Sequence, residues 1–229
     1  MGRRPGYLRI WACVFRYMSE WALRRQLFVW ILLAAPFIVW ILPGRTAIPF
    51  LPLVISCITY CGPAAFLVGW RESDARNNLA DILFQSKAGK YSLILPEIFL
   101  PFLAGALPAL GLAAIWTAGK CGFPWQLWAV IPFASLTAVS VTILLEKYLN
   151  QTGYILSLLA FMAQASTASW TLSPVFQLLI PHGYVLWTLR WIEDNGAAFH
   201  GDIYVFFAVI EGIGLMLLTI KALSQTSDD

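Results

Sequence analysis

Charged side chains are few in this chain, and they are gathered where chemistry or docking could take place. Arg71, Glu72, Asp74, Arg76, Asp81, Lys87 and Lys90 fall within twenty residues, between two apolar runs each long enough to cross a bilayer. Such a stretch must sit in water. Read as a helix, Glu72 to Phe84 is two-faced: Ala75, Leu79, Ile82 and Leu83 recur at helical spacing, while Glu72, Asp74, Arg76, Asn77, Asn78 and Asp81 point elsewhere. The pattern fits either a solvated connector or a docking element for a soluble partner. In the second case Leu79, Ile82 and Leu83 are the buried anchors, and Arg71, Glu72, Asp74, Arg76 and Asp81 set register around them.

Two more carboxylates stand inside apolar runs. Glu97 lies about 10 Å of helix beyond Lys90, where it either snorkels or pairs with Lys87 or Lys90. Glu211 stands beside Gly212 and Gly214 with no cation near it in sequence, and it requires a proton or a partner from another span. Ser157, Gln164, Ser166, Thr167 and Ser169 are interspersed with alanines, which suits close helix packing or a polar route for an amphipathic substrate.

Other constellations are too sparse for chemistry. His182 and His200 could recruit Glu193 or Asp202 only after folding, so a metal centre is not expected. Cys57 and Cys61 share a helix face without a neighbouring histidine or carboxylate and read as small packing residues; with Cys13 and Cys121 they form no disulfide framework. Gly89-Lys90 and Gly119-Lys120 lack the earlier glycine and the following Ser or Thr of a phosphate-binding loop. No G-x-S-x-G or H-E-x-x-H occurs, and no cofactor or catalysis is expected of this chain.

The elements that hold these residues follow from hydropathy. The 229 residues are 59% hydrophobic and 12% charged, with a mean hydropathy of +0.72, far below the roughly one-quarter charge of soluble chains. The expected fold is all-α and membrane-integral, one transmembrane domain over 1–229 with no room for a separate soluble domain. Residues 1–25 carry six arginines and one acid, Glu20, with Leu8, Trp11, Phe15, Met18 and Ala22 on one stripe. They read as an amphipathic helix lying in the membrane interface.

Six spans are expected within 26–224. They run from Gln26 to Leu42, Ile48 to Trp70, Leu93 to Thr117 (bent or broken by Pro96, Pro101 and Pro108), Trp125 to Leu145, Gly153 to Leu172, and Ile203 to Ile220. A re-entrant or interfacial segment, Ser173 to Trp191, precedes the last span, and a polar tail occupies 225–229. Twelve basic residues then fall on the side of both termini and the 71–90 segment, and three (Arg45, Lys120, Arg190) on the other. The positive-inside rule makes the first side cytoplasmic and accounts for the basic arm without nucleic acid.

An interfacial amphipathic helix, six spans with both ends inside, a charged helix between the second and third spans and a re-entrant region before the sixth resemble the permease subunit of type-2 ATP-binding-cassette exporters. The local match is Arg71-Glu72 followed by an amphipathic segment and a basic residue before the third span, similar to the family's coupling helix. The family often has a proline after that helix and a lysine at the start of the third span. Here the stretch reads Gln85-Ser86-Lys87-Ala88-Gly89-Lys90, and Glu97 stands near the lysine's place. The resemblance implies a homodimer or a pair with a sister permease in a cytoplasmic (inner) membrane. It also implies separate ATPase subunits that hold ATP and Mg and dock at 71–90, and export of an amphipathic or hydrophobic substrate. A non-transporting membrane scaffold that binds a soluble partner through 71–90 is the alternative.

Overall fold

A backbone in hydrocarbon has to pair its own N–H and C=O groups, and a helix does so within one segment. The computed structural model describes residues 7–25, 27–42, 51–71, 73, 78–79, 83, 87–118, 125–149, 185, 188–189, 192 and 202–225. Every regular element among them is helical: α1 (Tyr7–Arg25), α2 (Leu27–Ile41), α3 (Leu51–Arg71), α4 (Lys87–Thr117), α5 (Trp125–Leu149) and α6 (Asp202–Gln225). Of these, α3, α4, α5 and α6 are long and apolar enough to cross a membrane. The protein is a membrane-embedded helical bundle. Its outer surface bears large apolar side chains such as Phe37, Leu107, Phe206 and Leu217.

The described residues thus give four spanning helices where the hydropathy pattern predicts six. The expected first span becomes α2, whose 15 residues cover about 22 Å, less than the ~30 Å of hydrocarbon. With α1 it makes a pair bent by 70°, which could serve as one broken span or a re-entrant loop. The expected fifth span, with Gln164, Ser166 and Thr167, lies outside the described residues. In the segment expected at the interface, Val185, Thr188, Leu189 and Ile192 fall at helical spacing and are all buried. Val185, Leu189 and Ile192 join the core formed by Ile55, Leu112, Trp116, Ile131 and Tyr204, so these residues pack into the bundle.

The bundle is built around α4. It packs against α1, α2, α3 and α5, while α6 leans chiefly on α5. Although Pro96, Pro101 and Pro108 lie inside it, α4 runs unbroken for 31 residues. Each proline removes one intrahelical bond, and neighbours on several sides hold the helix in place across the losses. Close approach is strongest at Gly105, where an added Cβ would lie 2.6 Å from Ser135 Oγ and 2.7 Å from the Pro63 ring. Ser135 Oγ donates to the Phe102 carbonyl at 3.0 Å, so the Pro63 ring of α3 and the Ser135 side chain of α5 meet on α4 at Gly105.

The stripe of α1 divides between two environments. Met18 and Ala22 are buried together with Val14, which the stripe did not include; Trp11 and Phe15 are half-buried, and Leu8 stays exposed. The buried part packs with Val29, Phe66, Trp70, Leu93 and Leu100, making α1 part of the bundle.

The Gly105 contact generates a first prediction. Gly105→Ala should lower stability by roughly 1–3 kcal/mol, because the crowded atoms belong to a proline ring and a bonded serine. Gly214→Ala, where nothing among the described residues lies within 4 Å of an added Cβ, should be neutral. Thermal unfolding of both variants in detergent checks the difference.

Candidate functional site

The last residues of α3 bring the apolar bundle to the charged 71–90 segment. Trp70 is fully buried, and its indole, which can only donate, gives its Nε1 hydrogen to Glu97 Oε1 of α4 at 3.0 Å. Arg71 turns in beside it. One guanidinium nitrogen donates to Glu146 Oε2 of α5, and another lies 3.8 Å from Glu97 Oε2. The Glu97 side chain is 2% exposed, Arg71 11% and Glu146 20%. One cation therefore stands between two carboxylates where α3, α4 and α5 converge.

Glu97 accordingly does not snorkel. Its carboxylate meets Trp70 and Arg71 of α3, partners from another helix, while the side chains of Lys87 and Lys90 lie outside the described residues. The reason is geometric: Arg71 ends α3 at the depth where the third turn of α4 passes, and a guanidinium can reach two carboxylates at once. Trp70 and Glu146 were missed as site residues. The signal was present in the topology, which puts Arg71, Glu97 and Glu146 near the same membrane face.

Two neighbouring interactions extend the polar layer. Lys147, one residue beyond Glu146, donates to the Ala222 carbonyl in the last turn of α6, a favourable place for a cation. The carbonyl of Trp70 accepts from Ser73 N at 3.1 Å and from Ser73 Oγ at 2.6 Å, which closes the C-terminus of α3. On the other side Trp21 of α1 meets Trp70 edge-on at 5.0 Å and Phe66 at 6.3 Å. Continuous contact therefore runs from α1 through Trp70 and Glu97 to Arg71, Glu146 and α5. On the exposed face of α1, Arg16 bonds Glu20 at 2.8 Å and holds that carboxyl below its usual range through hydrogen bond and charge.

In the 71–90 segment, Asn78 is exposed, whereas Leu79 and Leu83 are half-buried against the cluster of Val14, Met18, Trp70 and Leu93. The two leucines thus anchor the segment to its own bundle. Glu72, Asp74, Arg76, Asp81 and Ile82 lie outside the described residues, as do His182 and His200. Glu211 is half-buried on α6, and its Oε2 has no hydrogen-bond partner among the described residues. The adjacent Gly212 lies against the Phe133 carbonyl, 2.9 Å from an added Cβ. Among the described residues no group of three His, Cys, Asp or Glu side chains could hold a metal. No family model, curated protein or solved structure matches the chain.

The ion network can be tested by removing its cation. Arg71→Ala removes the guanidinium that lies 3.8 Å from buried Glu97 and should cost about 3 kcal/mol. Adding Glu97→Gln to Arg71→Ala should restore part of that loss, since the amide still accepts from Trp70 and carries no charge to compensate. Denaturant unfolding in micelles reads both, with non-additivity as the expected outcome.

Proposed function

We propose that this chain is the membrane-spanning permease subunit of an ATP-driven exporter of the ATP-binding-cassette type. In this reading it works as a homodimer or with a sister permease, in an inner membrane with both termini cytoplasmic. ATP and Mg belong to separate ATPase subunits, and the cargo is amphipathic or hydrophobic. The observation that supports the reading is the way the water-facing segment joins the spans. A passive connector needs no mechanical tie, whereas here the segment starts at Arg71, which bridges α4 and α5, and is pinned by Leu79 and Leu83 to the cluster of α1, α2, α3 and α4. Displacement of such a segment is passed to several helices together, which is what domain coupling requires.

In this reading roles divide within the segment, supported by the packing of Leu79 and Leu83. The leucines transmit movement, and the charges Glu72, Asp74, Arg76 and Asp81, with exposed Asn78, present the surface that an ATPase subunit reads. Glu211 is a pathway candidate of α6. Gln164, Ser166 and Thr167 hold the same place in the fifth span of the proposal.

Two experiments check the reading. Single cysteines introduced at positions 81 and 120, in a background without the native cysteines, should be respectively protected from and labelled by a membrane-impermeant reagent in intact cells. The reverse pattern would invert the orientation. In reconstituted vesicles, Leu79→Ala with Leu83→Ala should abolish stimulation of ATP hydrolysis by substrate while the permease stays inserted. Asp74→Lys with Asp81→Lys should reduce copurified ATPase roughly tenfold. Full binding and full stimulation in both variants would leave 71–90 a linker and favour the scaffold alternative.

A further inference from the structure

Away from the ion network, Cys57 and Cys61 stand one helical turn apart near the middle of the 21-residue α3, and their thiols are free and hydrogen-bonded to each other. Both are half-buried against the core. Leu53, one turn before Cys57, and Ala65, one turn after Cys61, are exposed, so the pair lies on the outer side of the span and is reached from hydrocarbon.

Spacing and surroundings decide what two thiols in contact can hold. Cβ atoms four residues apart on a helix are about 5–6 Å apart, whereas a disulfide draws them to ~3.5–4.5 Å. A direct S–S bond would therefore distort α3. A structural zinc ion takes four ligands, and among the described residues no third His, Cys, Asp or Glu joins the pair. A soft monovalent cation is satisfied by two thiolates but leaves a net negative charge, which is costly inside the span. An atom that inserts between the sulfurs, bonds both covalently and ends neutral meets each constraint. Trivalent arsenic with one organic substituent is such an atom.

We propose that Cys57 and Cys61 form a covalent, reversible binding site for trivalent arsenicals that carry one apolar substituent and enter from the lipid. Both thiols condense with the arsenic oxide: two S–H bonds and the arsenic–oxygen double bond break, two As–S bonds form, and the oxygen leaves with both protons as one water. Arsenic stays trivalent throughout, so no oxidant or reductant takes part, and the adduct has no charge. The S–As–S link is one atom longer than a disulfide, so it bridges one turn of α3 with the helix hydrogen bonds in place. The site goes beyond the permease reading and needs no ATPase.

The test uses the full chain in nanodiscs of phosphatidylcholine, with Cys13→Ala and Cys121→Ala so that only the pair can react, and phenylarsine oxide as the probe. Intact-mass measurement should show one phenylarsenic group per chain, less two hydrogens, and the bound chain should no longer take up N-ethylmaleimide. Dimercaptopropanol, a dithiol, should release the group and restore both thiols. In Cys57→Ser or Cys61→Ser a single As–S bond remains. The concentration of β-mercaptoethanol that strips half of the probe should then fall roughly a hundredfold, the loss expected when a second, intramolecular attachment is removed. Cys57→Ala and Cys61→Ala serve the same purpose should serine disturb the span. No adduct on the paired thiols, equal retention in the single-thiol variants, or a disulfide between Cys57 and Cys61 formed by iodine in the folded chain would each overturn the proposal. Because no ATPase is present, these outcomes are independent of the coupling experiment.

Discussion

A carboxylate withdrawn from water in a bundle of apolar helices must be met by positive charge and hydrogen-bond donors, or it destabilises the fold by several kcal/mol. Glu97 imposes that requirement here, and three helices satisfy it. The Trp70 indole supplies a donor, Arg71 supplies the charge, and Glu146 takes the remaining reach of the guanidinium. Because Trp70 and Arg71 are consecutive, the end of α3 is fixed in rotation as well as in depth. Lys147 follows directly and ties α5 to the last turn of α6. One end of the bundle is therefore held by polar contacts, and it is the end from which the charged segment leaves.

Apolar packing completes what the ion network begins. Gly62 and Gly105 let the α3 and α4 backbones approach until an added Cβ at Gly62 would lie 3.3 Å from Gly105 Cα. Small residues at helix contacts are the usual means of packing in lipid, where no hydrophobic driving force separates helix from solvent. The same tight packing lets α4 carry three prolines without a break. A long helix gripped by α1, α2, α3 and α5 behaves as a common axle: a shift at its Lys87 end is felt by each neighbour.

The amphipathic α1 is exposed on one face and packed into the bundle on the other. Exposed Arg9, Arg16 and Arg24 face outward, while Val14, Met18 and Ala22 enter the cluster that also receives Leu79 and Leu83. Thus α1 and the residues Leu79 and Leu83 share one apolar cluster, in which Trp21 lies against Trp70.

What the sequence determined by itself was class and local structure. Long uncharged runs force helices, because a backbone in hydrocarbon has no other partners, and α3, α4, α5 and α6 fall close to where hydropathy places them. The stripe on 1–25 is the same kind of local information, and α1 carries it over Tyr7–Arg25. Tertiary structure decided what these faces touch. Leu79 and Leu83 were legible as anchors, but sequence periodicity marks only that a face is apolar, and it cannot say whether the chain's own core or a partner covers it. That Trp70 and Arg71 meet Glu97, and that Arg71 also meets Glu146, was likewise out of reach of local reasoning, since these residues become near only when three helices align in depth. The unbroken course of α4 through Pro96, Pro101 and Pro108 has the same origin: the cost of each proline is local, and the packing that outweighs it comes from other helices.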